Sequence, residues 1–236
     1  MSRADRFLGA FSAIERRLRV IAEADRGASF YALVDRAGQR SRAVLQFGTD
    51  LKEYADLRNA IVHERGDGRP IADPREETVT AIEEIQKILE DPPRLLQLLK
   101  ESVHSCGSDD PIGQAARQMY DGDFSQLPVY DGHSFVALLT AETVARWLAA
   151  SLESGIGLVE EAPVRKVLGY AEDQDNHQLV SRDATVFDAL QSFDLYSARG
   201  KSLDAILVTH AGKRDEKPLG IVTIYDIPRL LAAVRT

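Results

Sequence analysis

Apolar residues in the first ~95 positions recur at steps of three and four, which is the spacing of an amphipathic helix. The first stripe consists of Phe7, Phe11, Ile14, Leu18 and Ile21, with arginine and glutamate between them. Three further helical segments are predicted in this region, at residues 30–38, 42–65 and 73–91.

The ends of these segments carry helix signals. The predicted segment 42–65 contains no proline, and Gly48 is the residue in it that disfavours a continuous helix. Asp73-Pro74 places a proline in the first turn of the last helix, where the missing N–H is tolerated. Asp91 is followed by two prolines, which end that helix. Residues 1–95 are therefore predicted to form an all-α domain.

The pattern changes beyond residue 95, where short runs rich in valine, isoleucine and leucine lie between turn residues. Such runs predict β-strands that alternate with helices. The predicted strands are residues 126–130, 134–139, 205–209 and 219–224.

The same pieces occur twice in this second region. Residues 109–116 match 183–190 at an offset of 74, and the Leu-Pro-Val strand at 127–129 matches 206–208 at an offset of 79. The next strand repeats at an offset of 83, with Thr140 matching Thr223. We interpret this as an internal repeat. The predicted fold is α+β: a helical domain at 1–95, then two β-α-β-β-α units within 96–236, at about 97–152 and 163–236. A polar linker, residues 153–176, joins them.

Composition limits the classes of function. The net charge of −8 gives no global attraction to nucleic acid or an anionic membrane. The single cysteine, Cys106, allows no disulfide within one chain, which suits a reducing cytoplasm. No window is apolar enough to span a bilayer. The histidines lack the spacing of metal ligands, so no metal site and no required cofactor are predicted.

The sequence GIVTIYDI at residues 220–227 carries the most specific signal. A strand ends at Val222, and Thr223 can cap the following helix, whose positive end suits a phosphate. Asp226 lies in the first turn, where its carboxylate can accept bonds from both hydroxyls of a ribose. The alternative is a capping box, Thr-x-x-Asp, that binds no ligand.

This motif and the repeat around it resemble a tandem pair of CBS domains, also called a Bateman module, over about 140 residues. The resemblance implies an adenine nucleotide ligand (AMP, ADP, ATP or a related adenosyl compound) in a site shared between the repeats. Phe124 and Ser125 would contact the base, opposite Thr223 and Asp226. The ordinary alternative makes Phe124 a core residue and Ser125 a turn residue.

The mirror-related site of the repeat lacks the same chemistry. Thr143 stands where Asp226 stands in the second repeat, so the ribose-binding acid is missing. Asp204 stands where Ser125 stands in the first, and its charge would repel phosphate. We therefore expect one competent site per chain.

A second motif, LRNAIVHER at residues 57–65, lies in the helical region. On a helical wheel Arg58 falls within the apolar arc, whereas Asn59 and His63 lie on a polar stripe. The motif resembles the R-x4–6-H signature of HEPN domains, which often act as metal-independent ribonucleases. The resemblance implies that Arg58 would hold a phosphate, that His63 would act as general acid or base, and that Asn59 would orient it. The alternative pairs Arg58 with a buried carboxylate and leaves His63 as a helix-end residue.

Three functions follow from these motifs. The leading one is a regulatory homodimer in which an adenine nucleotide bound to the CBS pair modulates the helical domain. The second is a nucleotide-gated ribonuclease that acts on RNA through Arg58, Asn59 and His63. The third is an interaction module that binds neither nucleotide nor RNA.

Overall fold

The structure is a computed structural model, and it describes residues 1–25, 27–62, 72–99, 102–153 and 161–234. The chain divides into two compact units. The first comprises Met1–Pro93 with Val186–Asp188 and a C-terminal segment from Leu231. The second comprises Arg94–Thr185 and Ala189–Leu230.

Helices alone build the N-terminal part of the first unit. They are α1 (Arg3–Ala22), α2 (Phe30–Gly38), α3 (Arg42–Gln46), α4 (Gly48–Val62) and α5 (Glu76–Glu90). A capping box between Ser2 and Asp5 starts α1, and Glu23 ends it in the left-handed region at φ 48°.

The core of this unit follows the predicted stripe. Phe7, Phe11, Ile14 and Leu18 are buried, and α1 packs against α2, α4 and α5. Phe11 also stacks on Phe30 with 4.4 Å between ring centroids. The prediction of a helical N-terminal region is therefore confirmed.

Two predicted helix boundaries were wrong. The segment from Arg42 is not one helix, because it breaks at Phe47, whose side chain turns into the core between α3 and α4. The last helix begins at Glu76 with Arg75 as its N-cap, so Pro74 precedes the helix.

The second unit contains the strands. Its elements are α6 (Leu95–Leu98), α7 (Ile112–Asp121), β1 (Gln126–Asp131), β2 (Ser134–Thr140), α8 (Ala141–Glu153), α9 (Val164–Leu168), β3 (His177–Ser181), β4 (Ala205–Thr209) and β5 (Gly220–Thr223). Helix α10 (Val186–Ala198) begins in residues grouped with the first unit, and α11 (Ile227–Ala232) ends in them.

The strand pairing repeats with the offsets read from the sequence. In the first hairpin Gln126 lies opposite Thr140. In the second, Ala205 lies opposite Thr223, which are the same two positions shifted by 79 and 83 residues. Both hairpins are antiparallel, so the repeat is structural, and the α+β fold with two β-α-β-β-α units is confirmed.

The leading strand differs between the repeats. In the second repeat β3 pairs with β4 in parallel, with Val180 opposite Val208. In the first repeat this strand is reduced to a single parallel bridge between Cys106 and Val129. Burial raises the pKa of the Cys106 thiol to about 12, which keeps it protonated and unreactive.

The predicted polar linker contains an unpredicted helix, α9. Its Val164 and Val167 are fully buried in the core of the first repeat, beside Leu139 and Trp147. Helix α9, which directly follows the predicted boundary at residue 163, therefore packs with the first repeat.

A shared apolar core joins the two repeats. Tyr130, Phe135 and Leu138 from the first hairpin pack with Ala205 and Leu207 of β4. Because each small sheet covers the apolar face of the other, burial of these side chains stabilises both repeats together.

An aromatic and cationic cluster closes one end of this core. The ring of Phe135 contacts that of His177 at 4.7 Å between centroids. The Arg214 guanidinium lies over the same phenyl ring, 5.6 Å from its centre, and its Nη2 is 3.5 Å from His177 Nε2. The Phe135 N–H donates to the Arg214 carbonyl at 2.7 Å.

We predict that acid weakens this contact. Burial, and then the Arg214 charge, lower the pKa of His177, while Asp175 acts in the opposite direction. The stability linked to a neutral His177 is present above the unfolded value of about 6.5 and is lost as the pH falls through that value towards the folded pKa. An NMR titration should give His177 a midpoint below 6.5, and Arg214→Gln should raise it.

Arg199→Gln, which removes an exposed arginine of the same unit, is the matched control. An unchanged midpoint in the Arg214 variant would show that the guanidinium does not act on the imidazole.

Candidate functional site

Asp226 lies in a 3-10 turn, Ile224–Asp226, that follows β5. One carboxylate oxygen, Oδ2, accepts the Thr223 N–H at 2.8 Å, and the Thr223 hydroxyl donates to the same oxygen at 3.4 Å. The other oxygen, Oδ1, accepts from Arg229 Nη2 at 2.9 Å. The side chain of Asp226 is 25% exposed, so the carboxylate is held in place yet reaches solvent.

The helix after this turn is short. Helix α11 has six residues and directly follows the 3-10 turn that Thr223 caps, so the expected phosphate site at this end stays a prediction. The cation paired with Asp226 is Arg229, whose side chain is half exposed. Its guanidinium has five N–H donors, so most stay free after the bond to Asp226.

Gly220 opens the motif for a packing reason. A side chain at this position would meet the side chain of Leu99, the residue that ends α6, with Leu96 also within 3.5 Å. The glycine therefore permits close approach of β5 to α6.

Phe124 is half-buried against the core of the first repeat. Its ring lies so close to Gly122 that any Cβ at that position would meet it. The ring also stacks on His104, with 5.5 Å between centroids and 26° between the planes. No role was assigned to His104 from the sequence, and this contact was not predicted.

Ser125 connects the start of β1 to the start of α8. Its carbonyl accepts the Ala141 N–H at 2.9 Å, and its side chain is half-buried. Within the described part of the chain, the hydrogen bonds and ring contacts found for Phe124, Ser125, Thr223 and Asp226 each stay inside one repeat. The shared site therefore stays a prediction.

The mirror-related position has different chemistry. Thr143 is 3% exposed, and its N–H donates to the Thr140 hydroxyl oxygen at 3.1 Å. Asp204 accepts from the Asn176 amide at 2.8 Å and from the Ser202 hydroxyl at 2.6 Å. A buried threonine offers a ribose no carboxylate, and the expected asymmetry of binding stays a prediction.

The helical motif is described only in part. Arg58 and Asn59 are both exposed in the last turns of α4, and Arg58 Nη1 lies 3.3 Å from Asn59 Oδ1. The wheel was wrong to place Arg58 on the packed face, because α4 is buried only along Leu51, Ala55 and Ile61. His63 lies outside the described residues.

A comparison with known protein families matches the first repeat. A family model described as the CBS domain matches residues 97–150, so this part of the chain is similar to CBS domains. The second repeat has the same helix and hairpin order and the same hairpin register.

Three solved structures are similar to this chain. A protein assigned to acetoin utilization, AcuB from Vibrio cholerae, is 16% identical with a TM-score of 0.45, covering 59% of this chain and 90% of that one. The CBS domain pair of protein MJ0100, in complex with 5′-methylthioadenosine and S-adenosyl-L-methionine, is 17% identical with a TM-score of 0.45, covering 60% and 98%. CBSX2, in complex with AMP, is 15% identical with a TM-score of 0.45, covering 61% and 99%.

A search among curated proteins gave no match. Within the described ranges, every helix is too short or too polar to cross a membrane. The same ranges hold no group of three or more histidine, cysteine or acidic side chains arranged for a metal ion.

We predict that Asp226 stabilises the turn after β5 even without ligand. Asp226→Ala removes the acceptor of the Thr223 N–H and should cost about 0.5–2 kcal/mol, as loss of a helix cap does. Urea denaturation measures the change. Asp175→Ala, which removes an 82% exposed carboxylate, is the control and should change the free energy of unfolding by less than about 0.5 kcal/mol. Equal stability of the two variants would contradict the capping role.

Proposed function

We propose that the CBS pair binds one adenosyl ligand per chain and that the protein is a regulatory one. The pairing of Asp226 with Arg229 at the end of β5 carries the proposal. After its bond to Arg229, Oδ1 of Asp226 keeps a lone pair that can accept a ribose hydroxyl, whereas Oδ2 already accepts both the N–H and the hydroxyl of Thr223. The free donors of Arg229 suit a phosphate.

Repeat asymmetry supports a single site. The position of Asp226 is taken by the buried Thr143 in the first repeat. The Asp204 carboxylate holds its negative charge near the corresponding base pocket, where it disfavours a phosphorylated ligand. Among the neighbours, CBSX2 was solved with AMP, and protein MJ0100 with two adenosyl compounds. AMP and S-adenosylmethionine are therefore the first ligands to test.

Binding would regulate through a shift in population. A ligand that prefers one arrangement of a homodimer moves the equilibrium towards it by its difference in affinity. The helical unit of the same chain is the proposed recipient of that shift. The homodimer is part of the proposal, because both the CBS and the HEPN resemblance imply dimers.

Titration with AMP, ATP and S-adenosylmethionine tests the binding site. A ligand at 100 times its Kd stabilises the folded protein by about 2.7 kcal/mol, a rise in Tm of about 5–10 °C for a chain of this size. We expect Asp226→Asn to abolish most of that rise, because the amide loses one acceptor. The comparison uses the ligand-induced rise of each variant, since the substitution itself lowers Tm.

Asp175→Asn removes the same charge from an exposed position and should keep the full rise. The proposal fails if wild type shows no rise with any of the three ligands at millimolar concentration, or if Asp226→Asn shifts as wild type does. Arg229→Gln separates the ligand classes: it should weaken AMP and ATP but spare S-adenosylmethionine, which carries no phosphate.

A second candidate function is a metal-independent ribonuclease in the helical unit. The exposure of Arg58 and Asn59 favours it, because a phosphate can reach the guanidinium without displacing core residues. His63, one residue beyond α4, would supply the proton transfer.

RNA cleavage in the presence of a chelator tests this second function. We expect cleavage by wild type, with a loss of about 100-fold or more in His63→Ala, the range of general acid–base catalysis. Arg58→Ala should also lose activity, whereas Arg36→Ala, which removes another exposed arginine of this unit, should not. Cleavage that survives His63→Ala, or no cleavage at all, rules the ribonuclease out.

A further inference from the structure

The stacked pair of His104 and Phe124 lies beside the residues predicted to bind the base. The Phe124 side chain is held in place, because its ring packs on the core of the first repeat and against Gly122. His104 covers it from outside with a stacked ring, and the His104 side chain is exposed. The solvent-facing ring of this pair is therefore the imidazole.

This geometry changes the role of Phe124. A planar base cannot reach the ring face that His104 occupies, and the rest of the phenyl ring is partly sunk in the core. The exposed face of the imidazole is the surface that a purine can stack on, as a third layer over Phe124. Stacks with centroids 4.5–7 Å apart are favourable for aromatic rings, and the His104–Phe124 spacing lies in that range.

We propose that His104 is the stacking platform for the adenine base and that Phe124 holds the imidazole in place. This inference rests on the proposed function, since it names the contact through which the same ligand is recognised. The parallel bridge between Cys106 and Val129 fixes the backbone next to His104. The imidazole is thereby positioned relative to β1 and β2, the hairpin that leads to α8.

The backbone around the pair preorganises it. Cys106 donates its N–H to the Pro128 carbonyl at 3.1 Å, and the Phe124 N–H donates to the Met119 carbonyl at 3.1 Å. Both partners of the stack are thus held by main-chain bonds within two residues of their side chains. A ligand that stacks on His104 loses little entropy in ordering the protein, which favours affinity.

Titration with AMP tests the platform with three variants. His104→Ala should weaken AMP binding by about fivefold to 100-fold, the cost of removing one aromatic partner from a stacked base. His104→Phe keeps a flat ring and should retain affinity within about threefold of wild type, since stacking tolerates any aromatic ring. His133→Ala removes an exposed histidine from the tip of the same hairpin and should bind as wild type.

A spectroscopic readout separates stacking from a structural effect. In wild type, AMP should move the ring-proton resonances of His104 upfield, whereas those of His133 should stay in place. Thermal unfolding of the unliganded variants checks that His104→Ala remains folded, as expected for an exposed side chain.

The outcomes distinguish the two proposals. If wild type and His104→Ala bind AMP equally while Asp226→Asn does not, the platform is wrong and the nucleotide site stands. If the resonances of His104 do not move on AMP binding, the platform is also wrong. If wild type binds no AMP, the platform falls together with an AMP site.

Discussion

Burial of two small sheets against each other is the constraint on which the C-terminal unit depends. A two-stranded hairpin such as β1–β2 is marginally stable alone in water, so its apolar face needs a packing partner. Phe135 and Leu138 of the first hairpin meet Leu207 of the second in one core, so neither repeat has a complete interior without its partner. The identical hairpin register of the two repeats follows from this requirement, because a slip of one residue would turn every core side chain to the opposite face.

The same packing leaves the ends of the strands free to differ in chemistry. At the end of β5 a carboxylate closes the turn and keeps contact with solvent, whereas at the end of β2 two buried threonines close it. At β5 the carboxylate accepts the N–H of Thr223, the capping residue itself, whereas at β2 the Thr140 hydroxyl oxygen accepts the N–H of Thr143, three residues further on. Each bond is one half of a capping box, so the fold accepts either. Stability thus does not require Asp226 to be an acid, and its partial exposure beside Arg229 is what supports a ligand there.

Much of the fold was predictable because its signals are local. Runs of valine, isoleucine and leucine located four strands, and the offsets of the repeat matched the observed pairing. The unpredicted elements have weak local signals: α9 is only five residues long, and every residue of β3 is only half-buried. The contact of His104 with Phe124 joins residues that are distant in sequence, and it arises from the parallel bridge at Cys106. No periodicity contains that information. The helical wheel put Arg58 on the buried face of α4 because a broad buried arc was assumed, whereas the observed buried stripe is narrow.

Under the proposed function, the buried Thr143 would also limit the form of the dose response. One carboxylate at the two related positions would leave one ligand site per chain, so occupancy would rise hyperbolically with free ligand concentration. Two sites in one chain would allow cooperativity within it, and the threonine would remove that route. A response steeper than a hyperbola would then have to arise between chains, as a Hill coefficient set by the assembly.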